Sequence, residues 1–349
     1  MANHPRGGIH HPSIDLSHIW ALPAGCVLRP LGQGYNNLLY RLYTAAGDPL
    51  PFVLRVYGNH ANPKYIQHEI AILKQLGEHA LPFSLPMPIA THRGEFWALV
   101  DEGQGPRLMT LVPFLPGQNP DVRDLAQAEA AGAAMAQLHV ALRQVQVRGV
   151  NLPKPYIELG KVHPLVPQPF EAMRAVGSLA TKSDVARVEA ILTRILEHEK
   201  LFRILPQQLI HGDFIPGNVL AEGSRITAVL DFENCAFNPC LMDFAIAIDT
   251  WCWDVISSGQ EWPRIAALAR GYRRAGRLSE AEIDLLPTGI LLRNASVLMH
   301  LIGRFLANLS PYVDVEQWVT AMQRIDAWLI LYGERLVACV REQMSAEVG

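Results

Sequence analysis

The hydrophobic period of this chain changes once, near Pro113-Phe114-Leu115-Pro116-Gly117, and that change restricts its fold more than any other feature. Upstream, apolar residues fall in short strand-like runs: Val27 to Leu31, Leu38 to Tyr43 and Phe52 to Tyr57. The polar turn Gly47-Asp48-Pro49 between the last two marks an antiparallel hairpin. Tyr65 to Leu76 then places Ile66, Ile70, Leu73 and Leu76 near helical spacing. Shorter strands are expected around 89–92, 96–100 and 109–114. Downstream the pattern is helical. Residues 124–145 are Ala-rich with Asp121 or Asp124 as a cap. A Pro-rich connector spans 151–169, and helices are expected near 183–203, 262–275, 279–309 and 314–342. Residues 208–233 read as short strands around a loop. The chain is therefore α+β and bilobal, with a small antiparallel β-rich N-lobe over 13–115 and a larger, mostly helical C-lobe over 116–349. Residues 1–12, rich in His, Gly and Pro, are expected to be disordered.

Composition narrows the function. Lys and Arg total 30 against 33 for Asp and Glu, a net charge of −3. That balance lacks the basic excess of a nucleic-acid binder, and no Lys/Arg run suits an anionic membrane. The most apolar window, Leu285 to Leu309, is interrupted by Arg293, Asn294, His300 and Arg304, so it does not read as a membrane span. The five cysteines are scattered, with no C-x-x-C pair, as in a reduced cytoplasmic protein. No apolar leader stretch is evident at the N-terminus. The expected partner is a small molecule, with no nucleic acid and no membrane; the oligomeric state stays open.

One segment carries chemistry. Leu209-Ile210-His211-Gly212-Asp213-Phe214-Ile215-Pro216-Gly217-Asn218 is followed by the apolar run Val229-Leu230 and then Asp231-Phe232-Glu233. Phosphoryl transfer requires a carboxylate beside the attacking hydroxyl and oxygen ligands that hold Mg²⁺ against the phosphates. A loop bearing both an Asp and an Asn, faced by a second Asp from a neighbouring strand, can supply both. Taken alone, the same residues also fit a polar turn between buried strands.

His-Gly-Asp-x-x-x-x-Asn followed by Asp-Phe-Glu resembles the catalytic segment of the aminoglycoside phosphotransferase, choline kinase and homoserine kinase type II superfamily, small-molecule kinases with a protein-kinase-like fold. The resemblance runs from residue 27 to about 340. It implies ATP and Mg²⁺ as cofactors, Asp213 as the catalytic carboxylate, and Asn218 and Asp231 as metal ligands. His211 and Asp243 match positions that brace the loop. Upstream, Gly34-Tyr35-Asn36-Asn37-Leu38-Leu39-Tyr40 resembles the nucleotide-binding hairpin of homoserine kinase type II, which implicates Gly34 and Asn37. Arg55 stands where most kinases carry a phosphate-binding Lys, and Glu69 matches its ion-pair partner. Gly212 replaces the Arg that receives an activation-loop phosphate in many protein kinases, so activity independent of such phosphorylation is expected.

The acceptor is less legible. Asp249-Thr250-Trp251-Cys252-Trp253-Asp254 is similar to an Asn/Asp-x-Trp-Cys element of homoserine kinase type II. Carboxylates beside indoles suit a substrate ammonium, which makes Asp249, Trp251 and Asp254, together with Glu233, acceptor-site candidates. The alternative is that Trp251 and Trp253 pack helices. The His-Gly-Asp form is nearer the aminoglycoside and choline kinase type than the His-Ala-Asp of many homoserine kinases. The expected reaction moves the γ-phosphoryl of ATP to a hydroxyl of a small, amine-bearing metabolite, and the alternative is a catalytically weak nucleotide-binding sensor of the same fold. A metal-dependent phosphohydrolase built on His211, Asp213 and Asp231 would leave Arg55 and Glu69 unexplained. His139 is read as a packed or surface side chain, and Arg270, Arg273, Arg274 and Arg277 as a solvated helix end.

Overall fold

A computed structural model describes residues 15–33, 37–58, 63–101, 105–147, 153–176 and 181–346. Segment 1–12 and Gly34 lie outside the described residues. The chain divides into two units at Pro116/Gly117, with His79–Phe83 joining the second. Among the described residues, no helix is long and apolar enough to cross a membrane.

The first unit is a five-stranded antiparallel sheet. Its strands are β1 (Val27–Gln33), β2 (Asn37–Tyr43), β3 (Pro49–Tyr57), β4 (Ala98–Asp101) and β5 (Pro106–Pro113), in the spatial order β1-β2-β3-β5-β4. From Val53 to Tyr57 every residue of the central strand β3 is buried, which explains its nearly continuous apolar run. Leu28, Leu42, Leu54, Val56, Met109 and Leu111 pack with Leu16 and Trp20. The Trp20 indole N–H is satisfied by the Ile89 carbonyl at 3.1 Å. The strand expected at 89–92 does not form. Ile89 donates to Leu111 O, but Thr91 and His92 turn to Glu95 O and Ile19 O. Helix α1 (Lys64–Leu76) buries Ile66, Leu73 and Leu76. Glu69 falls on that same face by the i, i+3, i+7 rule, so helical periodicity itself carries a carboxylate inward.

The second unit is mostly helical. Asp124 caps α2 (Leu125–Leu142) by accepting the Ala126 and Gln127 N–H groups. This Ala-rich helix packs on α7 (Glu261–Tyr272) with its backbone pressed close. A Cβ on Gly132 would run into Leu268 O, and one on Gly271 into Glu129 O. Of the four arginines expected at a solvated helix end, Arg277 is exposed and bonds only the neighbouring Arg273 and Gly276 carbonyls, while the other three tie helices together. Arg270 and Arg274 pair with Glu129 of α2. Arg273 donates to the Gln343 and Ala346 carbonyls at the end of α10 (Tyr312–Ser345).

Three short helices, α3 (Pro169–Val176), α4 (Lys182–Glu197) and α5 (Glu199–Ile204), follow α2. The single helix expected over 183–203 is interrupted at His198, whose ring bonds Thr288 Oγ1 at 2.8 Å. Strand β6 (Gln208–Ile210) pairs with β9 (Ala236–Asn238), and β7 (Val219–Glu222) with β8 (Arg225–Val229). Helix α6 (Leu241–Trp251) comes next. The helix expected over 279–309 is two, α8 (Glu280–Asp284) and α9 (Leu286–Leu306). Pro287 has no N–H to continue a helix and instead occupies the first turn of the new one.

Candidate active site

The loop between β6 and β7 is held from below by one carboxylate. Asp243, fully buried on α6, accepts the His211 N–H on Oδ2 and the Gly212 N–H on Oδ1, both at 2.8 Å. Its Oδ2 also takes Nε2 of His139 at 2.8 Å, and Nδ1 of His139 meets the Tyr272 hydroxyl at 2.9 Å. Burial opposes a charge on His139, but Cys240 and Asp243 outweigh it and hold its pKa at about 10. The Asp243 carboxylate beside it favours the charged form of the ring.

His211 links the loop to the end of β8. Its Nε2 reaches the Leu230 carbonyl at 2.9 Å, so Nε2 carries the proton, and Nδ1 accepts the Asp213 N–H at 3.2 Å. Phe214 and Phe232 lie edge-on to this ring. Gly212 has φ +79°, and a Cβ there would strike the Asn234 carbonyl. The Gly212 carbonyl accepts the Tyr156 hydroxyl at 2.5 Å. Asn119 binds the far side of the loop, its amide shared among the carbonyls of Pro216, Gly217 and Val219.

Asp213 and Asn218 are brought together. The Asn218 Nδ2 donates to Asp213 Oδ2 and to Asp213 O, each at 3.0 Å. With its nitrogen spent on Asp213, the oxygen that Asn218 has to offer a cation is Oδ1. Backbone pairing brings Asp231 alongside: the Leu230 N–H donates to Asn218 O at 2.8 Å. Asp231 itself adopts a left-handed conformation, φ 63°, which is uncommon for an Asp and typical of held functional positions. The Asp213 carboxyl is raised above its ordinary value by burial, with a contribution from Asp231, while Arg293 and the Asn218 hydrogen bond pull it down.

Asn218 and Asp231 are the hard oxygen donors a divalent cation favours. No group of three His, Cys, Asp or Glu able to hold a metal occurs among the described residues. Two protein donors suit Mg²⁺, which usually takes one or two carboxylates and completes its shell with waters and substrate phosphates.

In the first unit, Arg55 and Glu69 are buried and meet at 2.8 Å. The Tyr57 hydroxyl donates to the other Glu69 oxygen at 3.2 Å, and the Arg55 guanidinium lies 4.7 Å from the Tyr57 ring centre. Asn37 is buried at the start of β2, opposite Tyr57 in register.

The acceptor candidates separate. Asp249 is buried and faces α9, where Asn294 Nδ2 reaches its Oδ2 at 3.2 Å. Trp251 lies on a different face of α6 and is fully buried. Asp254 is engaged by Arg264, which also binds the Trp251 carbonyl. Glu233 sits half-buried in the turn after Asp231. Sequence reasoning did not single out Tyr156 or Asn119, read His139 only as a packed or surface side chain, and took Arg293 only as a break in an apolar run. For Arg293 a signal existed: it is a charge inside the most apolar stretch of the chain.

Residues 27–282 match the model of the APH family, the phosphotransferase enzyme family, and the chain belongs to it. It is a small-molecule kinase. The homoserine kinase of Brucella canis is 29% identical over 268 residues, covering 76% of this chain and 75% of that protein. The homoserine kinase of Gluconacetobacter diazotrophicus is 29% identical over 259 residues, 74% and 75% of the two chains. Among solved structures, a microcompartment-associated aminopropanol kinase matches with a TM-score of 0.67 at 19% identity, over 92% of this chain and 96% of that one. An amicoumacin kinase in complex with AMP-PNP and Ca²⁺ matches with a TM-score of 0.65 at 17% identity, over 86% and 88%. These likenesses establish the bilobal, kinase-like α+β fold.

Proposed function

We propose that this kinase transfers the γ-phosphoryl group of ATP, bound with Mg²⁺, to a hydroxyl of a small amine-bearing metabolite. The observation that carries this reading is the Asp213–Asn218 bond on a loop whose backbone is pinned by Asp243. Asp213 orients the acceptor hydroxyl and takes its proton as the new O–P bond forms. The bond from the γ-phosphorus to the bridging oxygen breaks, and ADP leaves. Such a base contributes about 10²–10⁴-fold. Mg²⁺ on Asn218 Oδ1 and Asp231 would neutralise charge on the phosphates. Arg55, held by Glu69, is assigned to the nucleotide phosphates, with Gly34 and Asn37 in the nucleotide-binding hairpin, on the family resemblance.

The test is Mg²⁺-dependent ADP release across homoserine, choline, ethanolamine, methylthioribose, hexosamines and aminoglycosides, comparing wild type with Asp213→Asn. The homoserine kinase relatives put homoserine first in that series. A rate that rises with one acceptor and is lost in Asp213→Asn supports the reading. Firm ATP binding without acceptor-stimulated turnover would favour a nucleotide-binding sensor instead.

A further inference from the structure

A cavity of about 260 Å³ lies within the second unit, and Asp213, Asn218 and Asp231 do not line it. Its wall combines Phe202 of α5, Phe237 of β9, Met242 of α6 and Leu292 of α9 with the polar side chains of Asn238 and Arg203. Phe202, Met242 and Leu292 are buried, whereas Phe237 is 44% exposed, so the wall reaches the protein surface. No acidic side chain lines it. At the roughly 30 Å³ that a water-sized group takes, there is room for about eight non-hydrogen atoms. A wall this apolar is a poor host for water and a good one for hydrocarbon.

Asn238 is 2% exposed, and the orientation of its amide is fixed. Its Oδ1 accepts the Tyr156 N–H at 2.9 Å, and a flipped amide would set two donors face to face. Nδ2 is then a buried donor with no hydrogen-bond partner among the described residues, a costly state in a native interior. Arg203, on the same wall, pairs with Glu199 one helical turn away, both side chains partly in solvent. Such a pair holds weakly, so the guanidinium is available to an anion. Two donors, hydrocarbon walls and no acidic group together suit an apolar molecule that ends in an anionic acceptor.

The same wall is tied to the loop that carries Asp213. The Tyr156 hydroxyl donates to Gly212 O at 2.5 Å, so one residue joins Asn238 to the neighbour of Asp213. Strand β9 pairs with β6 as far as Ala236 and Ile210, next to His211. Met242 directly precedes Asp243, whose carboxylate holds the His211 and Gly212 N–H groups. We propose that the cavity is an effector site for a small apolar monocarboxylate, with the carboxylate on Asn238 and Arg203 and the hydrocarbon against Phe202, Met242 and Leu292, and that its occupancy firms the Asp213 loop through Tyr156. Binding there does not depend on the kinase reading, so either can fail without the other.

The experiment titrates the full chain with three probes that share one hydrocarbon body: 4-methylpentanoate, 4-methylpentanamide and 4-methylpentan-1-amine, with acetate as the control for charge alone. The carboxylate should raise the melting temperature saturably, by about 2 °C or more at ten times its Kd. The amide should bind about tenfold more weakly, and the amine and acetate should leave the melting temperature unchanged. An amine that stabilises as well as the carboxylate overturns the proposal. Arg203→Gln and Phe237→Ala, both at exposed positions, should each raise the Kd of the carboxylate about threefold or more. Asn238→Asp keeps the oxygen that Tyr156 needs and replaces the free donor with a second oxygen, so it should abolish binding. Where that variant fails to fold, the two exposed substitutions decide, and unchanged affinity in both overturns the site. Hydrogen exchange across residues 211–218 should slow about tenfold at ten times Kd. In Tyr156→Phe that slowing should vanish while the melting shift remains; slowing that persists overturns the route through Tyr156. A melting shift that disappears at saturating Mg²⁺-ATP and homoserine places the probe in the active site and overturns the proposal. Failure of every acceptor to stimulate turnover sinks the kinase reading and leaves the binding result standing.

Discussion

His139 and Asp243 form an ion pair at 2.8 Å in the interior of the second unit, with side-chain exposures of 2% and 0%. The same carboxylate receives the backbone N–H groups of His211 and Gly212. The ring is thus one bond removed from the loop that bears Asp213, and it fixes the charge and rotamer of the group that holds the loop.

The pair should make stability fall as pH rises. The His139 pKa is raised to about 10 from an ordinary 6.5. A group raised on folding contributes fully below its unfolded value and loses that contribution as pH passes through its folded value. The melting temperature of the wild type should therefore decline between about pH 6.5 and 9.5, below the range in which the buried Tyr272 hydroxyl, itself raised, begins to titrate. Removing the imidazole leaves Asp243 buried without its cation, a loss of about 3–5 kcal/mol. Denaturant unfolding of His139→Gln should show that loss at neutral pH and a flatter pH trend. An unchanged trend would mean the ring is neutral in the native protein.

Gly212 should tolerate no side chain. Its φ of +79° already disfavours L residues, and the Asn234 carbonyl occupies the place a Cβ would take. Gly212→Ala should cost about 2 kcal/mol or more and lower kcat through the displaced loop. An Arg at this position, as in many protein kinases, has no room, so treating the purified enzyme with phosphatase should leave its rate unchanged.

Much of this was legible in the chain. The spacing of Ile66, Leu73 and Leu76 puts Glu69 on a buried helix face before any tertiary contact is known. Asp213 and Asn218 are close in sequence and joined by a local bond, so their spacing was informative. His139 was not legible in this way. Its partners Asp243 and Tyr272 come from other helices more than a hundred residues downstream, and nothing near His139 announces them. Arg293 and Asn294 were visible only as interruptions of an apolar run. Asn294 finds its partner Asp249 only through the packing of α6 on α9. Helix ends failed where Pro287 sits, because periodicity continues through a break that one missing N–H imposes.

Asp213→Asn should lower kcat by about 10²–10⁴-fold while ATP still binds, since the amide can accept a bond from Asn218 but cannot take a proton. In the wild type the acid limb of kcat should lie above the ordinary Asp value, because burial raises the Asp213 carboxyl. A base must be ionised to act, so the rate climbs with pH through that limb. Arg293 pulls the same carboxyl down. In Arg293→Gln the limb should therefore move to higher pH, read from single-turnover rates at saturating acceptor. A limb that stays in place would show the guanidinium too far from Asp213 to act on it.

Glu69→Gln tests the first unit by itself. Arg55 and Glu69 are both nearly shielded from water, and the Tyr57 hydroxyl completes the Glu69 carboxylate. Neutralising the Glu leaves a buried guanidinium without its counter-charge, which costs about 3–5 kcal/mol when one partner of such a pair is removed. Arg55, with its bond to Glu69 weakened, can shift away from its present position. On the proposed nucleotide role of Arg55 the guanidinium would then be misplaced, and KM for ATP should rise about tenfold or more with a smaller change in kcat. Arg55→Lys, which keeps the charge but not the planar fork, should recover stability better than it recovers KM. If Glu69→Gln unfolds the sheet without altering KM in the fraction that remains folded, the pair is a fold element of the first unit and the nucleotide assignment of Arg55 falls.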